Sequence, residues 1–305
     1  MNASEVLGRL ASDQGGVVTA AQALSAGYTR DQIRHLLRSG RWTRMARGRF
    51  VPGPVQDVLR HRRARIGAAV DSLGPEAVAV LDTAAELHGI AGLRVTSTIH
   101  VSVPPDHPRP QRRSDPDLVV HQLTLGPADV GTVAGIPVTS AVRTVADVIL
   151  RVGRYPAVCV LDSALNRRLL TEADLAAIPA LLTGRRGAVA ARQRLTEADG
   201  RAQSPLETRT RLRCVDGGVP PDVLQLEVRD DDGYLLGIGD LGWRGPRVIA
   251  EADGAAPHGT PQAVFEDRVR QNRLVNAGWR ILRFTWSDTL RNDYVPETVR
   301  RALRR

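Results

Sequence analysis

Apolar positions recur on a helical period near the N-terminus and alternate between turn signals near the C-terminus. Residues 3–12, containing S-E-V-L-G-R-L-A, predict a short helix. In T-A-A-Q-A-L-S-A-G, Thr19 can cap a second helix and Gly27 can end it. Thr29 and Gln32 then form a capping-box pair for a third helix, with Ile33, Leu36 and Leu37 as its buried stripe and Gly40 as its stop. The following R-W-T-R-M-A-R-G-R-F-V-P predicts two short strands around a turn at Arg47–Gly48. Three helices and a hairpin make the winged helix-turn-helix plan, in which one helix enters the major groove and the wing touches phosphates.

Residues 54–60 predict a junction, and the chain beyond it is mixed. A helix containing T-A-A-E-L-H-G (83–89) is expected, then a strand at Thr98–Val103, a Pro/Arg-rich loop at 104–113 and a strand at Leu118–Gln122. P-V-T-S-A-V-R-T-V-A-D-V-I (137–149) predicts a helix capped by Thr139 or Ser140. Residues 156–199 are helical in pattern, with a break at T-G-R-R-G-A (183–188). From Ser204 the pattern changes. Ser204 caps a helix with Pro205 in its first turn and Glu207 at the capping-box position. Strands follow at Val223–Val228, Tyr234–Trp243 and 247–254, with D-D-D-G turning the chain between the first two. A helix at 261–277, a strand at 279–285 and a last helix near 294–304 complete an α-β-β-β-α-β order.

The fold class is therefore α/β and multi-domain. A winged helix-turn-helix over 1–53 and a mixed α/β middle region over 54–200 precede a restriction-endonuclease-like α/β core over 201–305, whose sheet should be mixed and four-stranded. At 305 residues the chain is long enough for this division. Cys159 and Cys214 lie far apart with no C-x-x-C pair, so neither a disulfide framework nor a zinc site is expected. The N-terminal M-N-A-S-E-V lacks a secretory pattern, and no apolar run approaches the roughly 18 residues needed to span a bilayer. The expected location is the cytoplasm.

Charge changes the picture at one end. All 42 basic residues are arginine, and the net charge is +9. Residues 1–65 hold 12 Arg against 4 acids, whereas 66–199 hold 13 against 14 and 200–305 hold 17 against 15. A GC-rich genome would explain arginine in place of lysine, but not this local excess. It is the electrostatic footprint of a polyanion-binding module. Arg30, Arg34 and Arg38 recur along one side of the third helix, and Arg41, Arg44, Arg47 and Arg49 along the wing. These are the candidate DNA contacts. Modules of this shape also bind proteins, but a merely solvated face would mix signs.

The run G-V-V-T-A-A-Q-A-L through G-R-F-V, within residues 4–53, resembles the N-terminal winged helix of AbiEi-type antitoxins, the repressor half of type IV toxin–antitoxin systems. T-A-A-x-x-H-G and P-V-T-S-x-x-R-T-x-x-D blocks resemble the body of the same proteins. The resemblance implies DNA as a partner and a possible cognate toxin. His88 and Asp147 stand in these blocks, and structural roles are favoured for both.

Asp240 and Glu251, with ten residues between them and each near one end of an apolar strand, can bring two carboxylates to one end of a sheet. A divalent cation could bind there. S-P-L-E, G-x-x-D-L-x-W, E-x-D-G, D-R-x-R and G-W-R-I-L-R-F, within about 201–292, resemble the very-short-patch-repair (Vsr-like) endonuclease domain of the PD-(D/E)XK class. That resemblance implies Mg²⁺ or Mn²⁺ on Asp240 and Glu251, with the Ala252 carbonyl as a third ligand and Glu207 near a metal-bound water or second ion. Such a metal offsets phosphorane charge and acidifies the attacking water. The pattern's lysine, two residues after the Glu, is here Asp253. His258 is the candidate general base or acid in its stead, with Asp253 orienting it or joining the metal shell, and Arg268, Arg270 or Arg283 would supply positive charge near the phosphate. Two readings follow: a DNA-binding, metal-dependent endonuclease, or a non-enzymatic repressor carrying a degenerate nuclease domain.

Overall fold

The computed structural model describes residues 2–13, 16–46, 48–53, 58–107, 115–254 and 261–304. They form two compact units: Met1–Gly89 with Arg94–Asp147, and Ile90–Leu93 with Val148–Arg305. Residues 54–200, read from the sequence as one middle region, are thus shared between the units.

The first unit begins with α1 (Ala3–Asp13), β1 (Val18–Thr19), α2 (Ala20–Ser25), α3 (Arg30–Arg38), β2 (Trp42–Ala46) and β3 (Arg49–Pro52). The strands pair antiparallel in the order β1-β3-β2. Both α2 and α3 start on capping boxes, Thr19 with Gln22 and Thr29 with Gln32, each satisfying two otherwise orphaned backbone donors. Gly27 and Gly40 follow the two helices at φ of +102° and +70°, where a side chain would be strained. Leu7, Ala11, Val18, Ala23, Ile33, Trp42 and Phe50 form the core, with Leu36 and Leu37 packed half-buried against it. This is the expected winged helix.

The same unit continues with α4 (Val58–Ser72), β4 (Val78–Ala79), α5 (Leu81–His88), β5 (Ile99–Ser102), β6 (Leu118–His121), β7 (Val130–Val133), β8 (Ile136–Thr139) and α6 (Ala141–Ile149). Its sheet runs β6-β5-β4-β8-β7, with Ile66, Ala69 and Val70 of α4 packed against Ile99, Val101 and Val138. Two expectations change here. Residues 58–60 open α4, where a junction was expected. The helix expected over 137–149 begins at Ala141, because Ile136–Thr139 pairs with β7. Ser140 Oγ accepts the Arg143 N–H at 3.3 Å and so supplies the cap, while Thr139 Oγ1 bonds to Thr144. Residues 108–113 of the Pro/Arg-rich loop lie outside the described residues.

The second unit holds α7 (Arg154–Asn166), α8 (Glu172–Leu181), α9 (Ala188–Leu195), α10 (Pro205–Asp216), β9 (Val223–Arg229), β10 (Leu235–Trp243), β11 (Val248–Ala252), α11 (Pro261–Asn276), β12 (Arg280–Phe284), α12 (Trp286–Thr289) and α13 (Tyr294–Leu303). The break expected at 183–188 separates α8 from α9. The four-stranded sheet is mixed, in the order β12-β11-β10-β9. β9, β10 and β11 are antiparallel, and β12 returns parallel to β11 after the α11 crossover. Cys214, Leu241, Trp243, Val248, Phe284, Val295 and Val299 form one core cluster of this unit, and Leu226, Val228, Ile249 and Leu274 another.

Candidate nucleic-acid interface and carboxylate cluster

Ile33 turns one side of α3 into the core, which leaves Arg30, Arg34 and Arg38, at i, i+4 and i+8, on an exposed side. Arg41 and Arg44, just before and within β2, are exposed as well. Arg34 pairs with Asp31 at 3.0 Å, both well solvated, and Arg41 Nη2 lies 3.0 Å from His35 Nε2. An exposed pair of that kind is weak and exchanges readily for phosphate. Arg49 differs: it is half-buried and lies 3.7 Å from Asp71 of α4, so its charge is partly spent inside the unit. Arg47 lies outside the described residues.

Two residues set aside as structural have partners of that kind. His88 Nε2 is 2.7 Å from the Thr139 carbonyl, and Asp147 accepts from Arg143 Nε at 2.9 Å.

In the second unit, α10 carries Glu207, β10 carries Asp240 and β11 carries Glu251. Asp240 lies close enough to Glu207 for its charge to act on the Glu207 carboxyl. Burial pushes the Glu207 carboxyl above its ordinary value against the pull of the Gln203 N–H, and the Asp240 charge adds to the rise. Burial likewise raises Asp240, the Ala252 N–H opposes it, and the Glu251 charge adds to it. Glu207 Oε2 accepts from the Gln203 N–H at 2.9 Å and from Gln225 Nε2 at 3.0 Å. The carboxylate thus reaches one residue beyond the capping-box donor expected from the sequence. Gln225, which the sequence did not single out, sits at φ +52° among the paired residues of β9, opposite the Asp240 stretch of β10. A non-glycine residue held there is strained, and the strain places its amide at the carboxylates.

Asp240 Oδ2 accepts the Ala252 N–H at 2.8 Å. Glu251 is buried against two guanidinium groups: Arg270 Nη1 is 2.7 Å from Oε1 and Arg283 Nε is 3.3 Å from Oε2. Both arginines also hold Asp267, each at 2.7 Å, and Arg283 lies 3.9 Å from Asp253. Arg283 and then Arg270 keep the Asp267 carboxyl below its ordinary value.

The Mg²⁺ or Mn²⁺ expected on Asp240 and Glu251 does not suit this donor set. Glu251 Oε1 takes a charge-assisted bond from Arg270, Oε2 is ion-paired with Arg283, and the Ala252 carbonyl, the third expected ligand, accepts the Gly254 N–H at 3.0 Å. Among the described residues no group of three or more His, Cys, Asp or Glu could hold a metal ion. Arg270 and Arg283, expected at the phosphate, are turned onto the chain's own acids. Arg268 is exposed on α11, and His258 lies outside the described residues.

Two stretches of the chain match families of known proteins. A family model described as a transcriptional regulator, AbiEi antitoxin, matches residues 5–51, and one described as the AbiEi antitoxin C-terminal domain matches residues 77–197. Neither range reaches residues 201–292, whose resemblance to Vsr-like endonucleases rests on the motifs alone. The uncharacterized protein Rv2248 of Mycobacterium tuberculosis strain H37Rv is 33% identical over 227 residues, 74% of this chain and 81% of that protein. The uncharacterized protein MT2308 of strain CDC 1551 matches with the same figures. The crystal structure of the M. tuberculosis protein RV2827C superposes with a TM-score of 0.43 at 17% identity, covering 75% of this chain and 88% of the other. On the two domain matches, in a chain 33% identical to relatives that it covers by 81%, the protein belongs to the AbiEi antitoxin family.

Proposed function

We propose that the chain is a DNA-binding repressor of the antitoxin type, in which the winged helix reads duplex DNA and the second unit is a non-hydrolysing scaffold. The observation that carries this reading is the exposed row of Arg30, Arg34 and Arg38 on α3, continued by Arg41 and Arg44 at the start of the wing. Helix α3 has its buried side anchored by Ile33, so the arginine side is free to enter a major groove. A cognate toxin encoded beside it is the partner that the family implies, and action in the cytoplasm follows from that role. No helix of the described residues is long and apolar enough to cross a membrane.

The test is fluorescence anisotropy of the purified chain on duplex DNA from its own promoter. Arg34→Gln, Arg38→Gln and Arg44→Gln together should weaken binding at least about 10-fold and reduce the salt slope by roughly 0.9 per lost phosphate contact. Unchanged affinity in the triple variant would show that this face binds protein instead.

A second reading, a metal-dependent endonuclease, is favoured by Glu207, Asp240 and Glu251 meeting at one region of the sheet. Against it stand Asp253 in the lysine position and the two arginines on Glu251. Supercoiled plasmid incubated with the chain and Mg²⁺ or Mn²⁺ separates the readings. Nicking that stops with chelator and in Asp240→Ala would establish the enzyme.

A further inference from the structure

Away from the carboxylates, the second unit carries a stack of arginines and aromatic rings. Arg209 and Arg213 are one turn apart on α10 and share a face. The Arg209 guanidinium carbon lies 5.0 Å from the centroid of the Tyr155 ring and 4.7 Å from that of Trp286, so it sits between a ring of α7 and a ring of α12. Arg213 lies 4.7 Å from the Tyr155 centroid. Both are held by Nε: Arg209 donates to Thr289 Oγ1 at 3.1 Å and Arg213 to the Thr289 carbonyl at 2.7 Å. These bonds fix the guanidinium planes against the rings and do not use the Nη edges.

The acids nearby are committed elsewhere. Arg154, beside Tyr155, takes Glu197 at 2.6 Å and Asp216 at 2.6 Å, and Asp216 also accepts from the Tyr155 hydroxyl at 2.6 Å. Asp288 accepts from the Thr285 N–H and hydroxyl. Among the described residues neither Arg209 nor Arg213 has a carboxylate partner. Burial depresses the Arg209 pKa, and the adjacent Arg213 charge pushes the same way. Two uncompensated like charges, fixed side by side, make a place for an anion. Trp286 is 48% exposed, and four residues on, Leu290 is exposed too. The motif then repeats: Arg291 lies 4.6 Å from the ring of Tyr294, itself 38% exposed.

A phosphate oxygen pair matches the free edge of a guanidinium, and a partly exposed indole at the end of a cation–aromatic stack matches a base. An acidic peptide would use the arginines but would have no use for the ring. We propose that the Arg209–Arg213–Trp286 stack is a second nucleic-acid contact of this protein, taking an unpaired nucleotide with its phosphate on the two arginines and its base on Trp286. This site does not depend on the winged-helix reading, since it lies in the other unit and asks for single-stranded rather than duplex nucleic acid.

The experiment is binding of a fluorescein-labelled, mixed-sequence oligodeoxynucleotide of about 12 nucleotides, within the usual single-strand site size, to the full chain. Trp286→Ala should weaken binding about 10-fold and Trp286→Phe should restore most of it, as expected for one lost base stack. An abasic oligonucleotide of the same length should bind the parent protein about as weakly as the normal one binds Trp286→Ala. Arg209→Gln with Arg213→Gln should weaken binding further and flatten its salt dependence. If that double variant fails to fold, the Trp286 pair and the abasic strand test the site with the arginines intact. The same Trp286 variants should keep their affinity for promoter duplex, whereas Arg34→Gln, Arg38→Gln and Arg44→Gln should lose the duplex and keep the oligonucleotide. Oligonucleotide affinity unchanged by Trp286→Ala would overturn the proposal. So would tight binding of poly-glutamate that displaces the oligonucleotide and is insensitive to Trp286→Ala, which would make the site a dock for an acidic protein.

Discussion

Arg270 reaches from α11 to place Nη1 2.7 Å from Glu251 Oε1 on β11, and the same nitrogen donates to the Ile238 carbonyl at 3.0 Å. A buried glutamate is thereby neutralised from the helix that crosses over the sheet. Removing the guanidinium leaves Glu251 with Arg283 alone, so Arg270→Ala should cost about 2–3 kcal/mol. Arg270→Lys should recover less than half of that, because an ammonium cannot fork between the acids. Native-state hydrogen exchange at the β11 amides reads this loss locally, without assuming that both units unfold together.

Asp240 carries the opposite penalty. Its folded pKa stands above the unfolded value, so its charge opposes folding at every pH above the folded pKa. The penalty fades as pH falls through that value toward the ordinary aspartate value of 3.8 and vanishes below both. Asp240→Asn keeps an acceptor for the Ala252 N–H and loses the charge. It should melt higher than the parent at pH 7, with the gap closing toward pH 4. A rise in the parent's melting temperature on adding Mg²⁺, absent from Asp240→Asn, would instead restore the metal reading.

Asp267 has the other sign. Arg283 and Arg270 hold its folded pKa below 3.8, so its contribution is complete above that value and is lost as pH falls through the folded one. Asp267→Asn should be less stable than the parent at pH 7, by under about 1 kcal/mol given its exposure, and equal to it at the acid end. Melting curves across the acid range test the crossover.

Thr29→Ala removes the cap that starts α3 and should cost about 1 kcal/mol in the first unit. Because α3 carries the arginine row, the same variant should weaken promoter binding modestly with an unchanged salt slope. The phosphate contacts remain, and only the helix that presents them frays.

What could be read from the sequence follows from the range of each cause. The Thr29–Gln32 capping box, the Thr19 cap and the C-terminal α-β-β-β-α-β order were legible because a threonine with a glutamine three residues on, or alternation broken by D-D-D-G, acts within a few residues. Ile136–Thr139 was absorbed into the following helix, since Pro137 beside a Thr-Ser cap signal looks like a helix start. Only pairing with β7 and β4 makes it a strand. At the carboxylate cluster the residue types were visible and their destinations were not. An arginine's partner is set by tertiary approach, so nothing local distinguishes Arg270 or Arg283 on Glu251 from the same residues on a phosphate. Gln225 had no signal beyond being polar in a strand.

The parallel pairing of β11 with β12 sets Glu251 directly beside Arg283. Side chains alternate faces along a strand, so a slip of one residue would carry Arg283 to the other side and bring an apolar neighbour against the glutamate. Mispaired, Glu251 would be a buried charge missing one of its two counter-ions, a cost far above that of a mismatched hydrophobic contact. The ion pair thus favours the native register of the last strand over a frame shifted by one residue.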